Sequence, residues 1–353
     1  MSIRWWWTRR RRGEVPTALP AVATPVVHVE GPGRLALDGG RLVVSCGEGV
    51  RQVALLGNAL ETVVCHGAVD VSGECLADLA ARGVSLSLVS RGGDRFLARL
   101  ASRADPRLPA RVAQTRVLID EASRTRLARG LVAEKIRSQA AAARHYQRQG
   151  RKVDGEAIDR LGAFERQAEG EGNAAALLGL EGSASALWFR LFGSLLRDPW
   201  TFECRSRRPP RDPVNALLGL GYTLLLNRVE TAVEAAGLEP AFGALHAYRP
   251  GRPSLACDLM EPLRVPVVDR WVLSACNQRR FDPASFDRTE SACLVGRGQL
   301  PRVVADWERH WHEHHWQSVV TSRVSEFVRQ LREAAEGLGL PWRAADLVEP
   351  IPA

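Results

Sequence analysis

Between Ala104 and Pro109 the chain changes its periodicity, and that change divides what it can fold into. Ahead of it lie short β-branched runs punctuated by glycine: Val26-Val27-His28-Val29, Arg34-Leu35-Ala36-Leu37 and Arg41-Leu42-Val43-Val44. Such runs read as strands. Beyond it alanine, leucine, glutamate and arginine recur at helical spacing, and Pro106 and Pro109 interrupt the chain between the two patterns. The expectation is an α+β protein with an N-terminal mainly-β domain over 26–105 and a larger mainly-α domain over 106–353. Residues 1–25, with Trp5, Trp6, Trp7 and Arg9 to Arg12, fit neither pattern and read as a disordered tail able to stack and to carry charge. Pro16, Pro20, Pro25 and Glu14 spoil the segment after the arginines as a signal helix.

Within the first domain, Asp38-Gly39-Gly40 separates two strand runs, and an Asp-Gly pair supplies the positive φ angles of a tight hairpin. Further strands are expected at 52–56, 61–65, 84–89 and 96–100, with a short helix from Gly73 to Ala81. Helices are expected downstream at 112–147, 155–167, 174–196, 212–235, 254–261, 266–276, 299–313 and 318–337. No repeat at solenoid period is visible.

The formal net charge of +8 is carried almost wholly by arginine, since Lys135 and Lys152 are the only lysines. Guanidinium groups suit bidentate phosphate contacts. A genome rich in G and C would produce the same bias with no nucleic acid involved, so charge alone decides nothing. Seven cysteines, scattered and without a Cys-x-x-Cys pair, suit buried thiols in a reducing cytoplasm. No apolar run is long enough for a bilayer, so no membrane is expected.

The densest chemistry lies between Leu245 and Arg264. His246 ends an apolar segment, Pro250, Gly251 and Pro253 force a loop, and Ser254 reads as the N-cap of a helix. Asp258 and Glu261 share a face of that helix, being three residues apart, so one imidazole and two carboxylates can converge. An oxygen-rich set with one nitrogen suits Mg²⁺ or Mn²⁺ rather than structural zinc. The spacing equally fits two acids favouring a helix dipole and a satisfied polar histidine.

Several segments together resemble a known family. Gly179-Leu180-Glu181-Gly182, Arg208-Pro209-Pro210-Arg211-Asp212-Pro213, Gly237-Leu238-Glu239-Pro240, Gly243-Ala244-Leu245-His246 and Leu255 through Arg264 are similar to the CRISPR-associated adaptation integrases. Arg34 to Val44 and Val84 to Val89 resemble the family's β domain, so the likeness covers about residues 26 to 340. The resemblance implies that the α domain is catalytic and that Glu181, His246 and Glu261 hold a divalent metal, Mg²⁺ or Mn²⁺, with Asp258 as a further acid at the site. His246 is either a ligand or a proton carrier. It also implies joining of the 3′-hydroxyl ends of a short DNA fragment to a CRISPR repeat, double-stranded DNA being the partner of a homodimer assembled with a small ferredoxin-like CRISPR adaptation protein. Arg205, Arg207, Arg208 and Arg211 in one loop, with Arg252 and Arg264 beside the site, are expected to contact phosphates. A stand-alone metal nuclease on branched DNA and a non-catalytic DNA-binding subunit are the rival readings.

Three other patterns resemble functional motifs and depart from them. His310 and His314 stand one helical turn apart, but Trp316 occupies the place where His312-Glu313 would need a second histidine for a metalloprotease, so a packing or DNA-facing helix is expected. Gly219-Leu220-Gly221 has Leu224 where a dinucleotide fingerprint needs its third glycine. Cys65 and His66 alternate to opposite faces of a strand and make no nucleophile pair.

Overall fold

The computed structural model describes residues 26–342, apart from 39–40, 47–48, 55–59, 61, 83, 90–95, 101–107, 208 and 297. The tail assigned to 1–25 and the two glycines of the Asp38-Gly39-Gly40 turn lie outside the described residues. The chain parts into two compact units, the first closing with the strand that ends at Leu100 and the second holding the helices from Leu108 onward.

In the first unit the strands are β1 (Val26–Glu30), β2 (Gly33–Asp38), β3 (Arg41–Cys46), β4 (Gly49–Ala54), β5 (Thr62–His66), β6 (Val69–Val71), β7 (Ser85–Val89) and β8 (Phe96–Leu100), with α1 (Gly73–Ala81) before β7. They form two four-stranded sheets, ordered β1-β5-β7-β8 and β4-β3-β2-β6. The hairpin reading holds in the register: β2 and β3 run antiparallel with Asp38 opposite Arg41. Alternation explains the burial, since Leu42 and Val44 on β3, and Val63 and Cys65 on β5, enter the core with Val29, Leu35, Leu79 and Leu86. β6 was not foreseen; three residues are too few to show a period, and the strand exists through its parallel pairing with β2. β4 begins three residues earlier than expected because Gly49 to Ala54 pair along the whole of β3.

The second unit is helical: α2 (Leu108–Ile119), α3 (Glu121–Arg148), α4 (Gly155–Gly170), α5 (Ala174–Ser194), α6 (Pro213–Ala235), α7 (Ser254–Met260), α8 (Arg270–Asn277), α9 (Leu300–Glu313) and α10 (Trp316–Gly337). A two-residue strand pair, β9 (Asp287–Arg288) and β10 (Cys293–Leu294), lies between α8 and α9. Its core is large and aromatic, with Trp188, Trp271, Trp307, Trp311 and Phe192 fully buried. The single helix expected over 112–147 is two, because the Asp120 carboxylate accepts the Ser123 N–H at 2.8 Å and caps a new start. Asp154, Asn173 and Asp212 cap α4, α5 and α6 in the same way.

From Ser254 to Asn277 the chain is one nearly continuous rod of changing pitch. α7 passes into a 3₁₀ turn at Glu261–Leu263, then a π turn at Arg264–Asp269, then α8. Pro262 and Pro266 lack the N–H that a regular helix needs, so the hydrogen-bond step shortens and then lengthens around them. The helix expected to open at 266 is this π turn. Ser254 is no side-chain cap: it is the first residue of α7, preceded by Pro253, and its hydroxyl donates to the Ala247 carbonyl at 3.1 Å. α6 lies hard against the π turn, for a Cβ on Gly221 would come within 2.7 Å of Val268.

Candidate active site

The site grows around Asp258, fully buried on α7. Its Oδ2 accepts the Leu245 N–H at 2.9 Å, and its Oδ1 accepts the His246 N–H at 3.1 Å and lies 2.5 Å from His246 Nδ1. Every partner is a nitrogen facing an acceptor, which places a ring hydrogen on Nδ1 and commits that edge of the ring to Asp258. Burial raises the Asp258 carboxyl above its ordinary range, and the His246 hydrogen bond and charge work against that rise. Gly243 makes the arrangement sterically possible: a Cβ there would meet Asp258 Oδ2 at 2.5 Å.

Glu261 follows in the 3₁₀ turn, 4% exposed. Its Oε2 accepts from Lys135 Nζ at 2.6 Å and its Oε1 pairs with Arg264 Nη2 at 3.0 Å. Glu181, from α5, places Oε1 on the same Lys135 ammonium and accepts from the Ser185 hydroxyl at 3.0 Å. Burial alone would raise the Glu261 carboxyl; Arg264 and Lys135, helped by the nearby His246, override it and hold it at about 2. Glu181 and Glu261 thus come from separate helices to one cation, and His246 is close enough for its charge to act on Glu261. Asp258 and Glu261 divide the work: one orients the imidazole, the other joins Glu181.

Behind this layer is a second one that the sequence reading missed. Arg264 lies 4.9 Å over the Tyr222 ring, whose hydroxyl donates to Asp269 Oδ1 at 2.5 Å, while Trp188 Nε1 donates to Asp269 Oδ2 at 2.7 Å. Burial pushes Asp269 up to about 6 against those two hydrogen bonds. The partner most at the centre, Lys135 on α3, was also missed. The signal for it existed, since it is one of two lysines among 48 basic residues.

The six arginines expected on DNA divide. Arg207 and Arg211 are exposed, and the Arg208 side chain lies outside the described residues. Arg205 turns inward, its guanidinium 2.7 Å from Asn215 Oδ1 and 5.4 Å from the Tyr222 ring. Arg252 binds the Ala247 carbonyl and the Ser254 hydroxyl, and Arg264 binds Glu261.

At the rejected histidine pair, His310 Nε2 meets the Val267 carbonyl at 2.9 Å and Trp316 Nε1 at 3.1 Å, and the His314 ring lies 4.6 Å away. Burial pushes His310 down to about 4. This is packing, as expected. Burial likewise pushes the Cys257 thiol up to about 11, which keeps it from serving as a nucleophile, whereas Cys204 is exposed and departs from the expectation of buried thiols.

Among the described residues no group of three or more His, Cys, Asp or Glu side chains is closed enough to hold a metal ion as it stands. No described helix is long and apolar enough to cross a membrane.

Comparison with known proteins bears on the chain as a whole. The family model described as CRISPR associated protein Cas1 matches residues 27–309. The chain is 38% identical over 291 residues to a CRISPR-associated endonuclease Cas1 of Thermus thermophilus, covering 82% of this chain and 85% of that one. It is 37% identical over 298 residues to another from Rhodospirillum rubrum, with 81% and 85% covered. Among solved structures, a Cas1 protein from Thermotoga maritima superposes with a TM-score of 0.66 at 22% identity, over 87% of this chain and 97% of that one. A casposase bound to its integration product superposes with a TM-score of 0.68 at 19% identity, over 92% and 99%.

Proposed function

The chain belongs to the CRISPR associated protein Cas1 family, and from that premise we propose that it is a divalent-metal-dependent integrase which joins the 3′-hydroxyl ends of a short DNA duplex to the backbone of a CRISPR repeat. The observation that carries this reading is the convergence of Glu181 and Glu261, from separate helices, on one buried cation beside an imidazole whose Nε2 is left available. The donors fit Mg²⁺ or Mn²⁺: two carboxylate oxygens and one nitrogen, with the ring held from behind by a carboxylate. Glu181, Glu261 and His246 would hold the ion, which when bound polarises the attacked phosphate and steadies charge on the attacking and leaving oxygens.

The chain's own residues do the positioning. Asp258 fixes the His246 ring and its tautomer. Arg264 holds the second oxygen of Glu261, so that the carboxylate keeps one orientation, and Tyr222 and Asp269 support Arg264 from the other side. Arg207 and Arg211 are the exposed charges available to the phosphate backbone. A homodimer and a small ferredoxin-like partner complete the proposed assembly; that a Cas1-like chain can sit in a complex with other proteins is supported by a partial Cas6-RT-Cas1–Cas2 complex, one chain of which superposes on this one with a TM-score of 0.73 at 20% identity, over 91% of this chain and 99% of that one.

The test is joining of a labelled short duplex into a plasmid bearing a CRISPR repeat, with the small partner and Mn²⁺ or Mg²⁺, for wild type, His246→Ala and Glu261→Gln. Joined product from wild type alone is expected. Cleavage without joining would favour the nuclease reading, and equal product from all three would remove these residues from the reaction.

A further inference from the structure

Lys135 is the least expected residue at this centre. Its side chain is 4% exposed, and its ammonium bonds Glu181 Oε1 and Glu261 Oε2 together. Elsewhere the chain meets its need for positive charge with arginine almost without exception, yet here it uses the compact, rotatable point charge. A planar guanidinium is larger and directs its donors in a fixed fork, whereas an ammonium fits between two carboxylate oxygens much as a small ion would. With Arg264 on the remaining oxygen of Glu261, two acids and two bases balance. A divalent ion added to this set would leave an excess of two positive charges unless a cation withdrew.

We propose that Lys135 is the site's resident cation: it holds Glu181 and Glu261 together while no metal is bound, and it competes with the divalent ion for the same two oxygens. This rests on the reading of Glu181 and Glu261 as metal ligands. Lys135 is on this account a positioning residue. Its removal takes the shared counter-charge from Glu181 and leaves Glu261 with Arg264 alone, which destabilises the metal-free protein but makes the site a stronger cation trap.

The experiment titrates full-length protein with Mn²⁺ by calorimetry in the absence of DNA, for wild type, Lys135→Met, Glu261→Gln and the double variant Lys135→Met/Glu261→Gln, and records melting with and without the ion. Lys135→Met is expected to melt at a lower temperature than wild type without metal, to bind Mn²⁺ about tenfold more tightly, and to recover its melting temperature when saturated. The double variant should lose that gain. Equal or weaker binding by Lys135→Met, with Glu261 still required in wild type, would overturn the competition while leaving the ligand reading intact. Binding indifferent to Glu261→Gln in both backgrounds would overturn the ligand reading, and the proposal with it. Should Lys135→Met fail to fold, wild type carrying ¹³C-lysine gives two side-chain signals to follow: Mg²⁺ should move that of Lys135 and leave Lys152 in place, and binding of Mg²⁺ with both signals fixed would overturn the proposal.

Discussion

His246 and His310 begin as similar features, each a histidine with metal-binding side chains a few residues away, and the structure gives them opposite uses. At His246 a buried carboxylate takes Nδ1, and among the described residues no hydrogen bond commits Nε2. At His310 a backbone carbonyl and an indole N–H crowd Nε2, which can serve one of them, and aromatic rings close around the imidazole. The first ring is oriented with a nitrogen to spare, and the second is consumed by packing. What separates them is the partner across the fold, which spacing along one helix does not encode.

The largest expected effect comes from removing the oriented ring. His246→Ala should reduce joined product by about two orders of magnitude or more, measured as initial rate with saturating metal, whereas His310→Phe should retain joining at a temperature where it is folded. Comparable losses in both would erase the contrast. Next, Asp258→Asn should lower Mn²⁺ affinity by about 10- to 100-fold, because the ring loses its orienting charge; calorimetry with an unchanged affinity would show that Nδ1 needs no anionic partner.

The comparison sharpens further with pH. His310 has a folded value of about 4 against an ordinary 6.5, so the unfolded chain binds the proton more readily. Stability contributed by the neutral ring is therefore complete above pH 6.5 and is lost as pH falls toward 4. His310→Phe should flatten the wild-type decline across that window, by about 1 to 3 kcal/mol at pH 4, read from denaturant melts. An identical pH slope in the variant would place the acid sensitivity elsewhere. Smallest is the effect of the exposed arginines: Arg207→Ala with Arg211→Ala should reduce the log-log salt slope of DNA binding by about 0.9 per lost phosphate contact. An unchanged slope would take the pair off the DNA surface.

Much of the fold was legible because it is written locally. The helical spacing after Pro109 and the Asp38–Arg41 hairpin each depend on a few adjacent residues. The break at Asp120 was equally local and was passed over because residues that favour helix continue on both sides of it. β6 was hidden because its existence depends on β2. At the site, His246, Asp258 and Glu261 lie close in the chain, and Glu181 was found through family resemblance alone. Lys135 contacts acids 46 and 126 residues away, a relation that no window could reveal, although its rarity as a lysine marked it. The inward turn of Arg205 was equally out of reach, since the side chain that draws it in, Tyr222, belongs to the middle of α6.

The Asp258 carboxylate joins residues 12 and 13 positions earlier in the chain. It therefore acts as a noncovalent clasp on a loop of about a dozen residues that contains two prolines and a glycine. Closing such a loop carries an entropic cost that grows only slowly with its length. Because the clasp is fastened when the chain folds, the imidazole reaches a DNA substrate with its freedom already surrendered, and binding need not immobilise it again. Lengthening the loop by a few glycines should on this account be mild so long as Asp258 is present, and loosening the clasp should turn the same insertion into a loss of turnover.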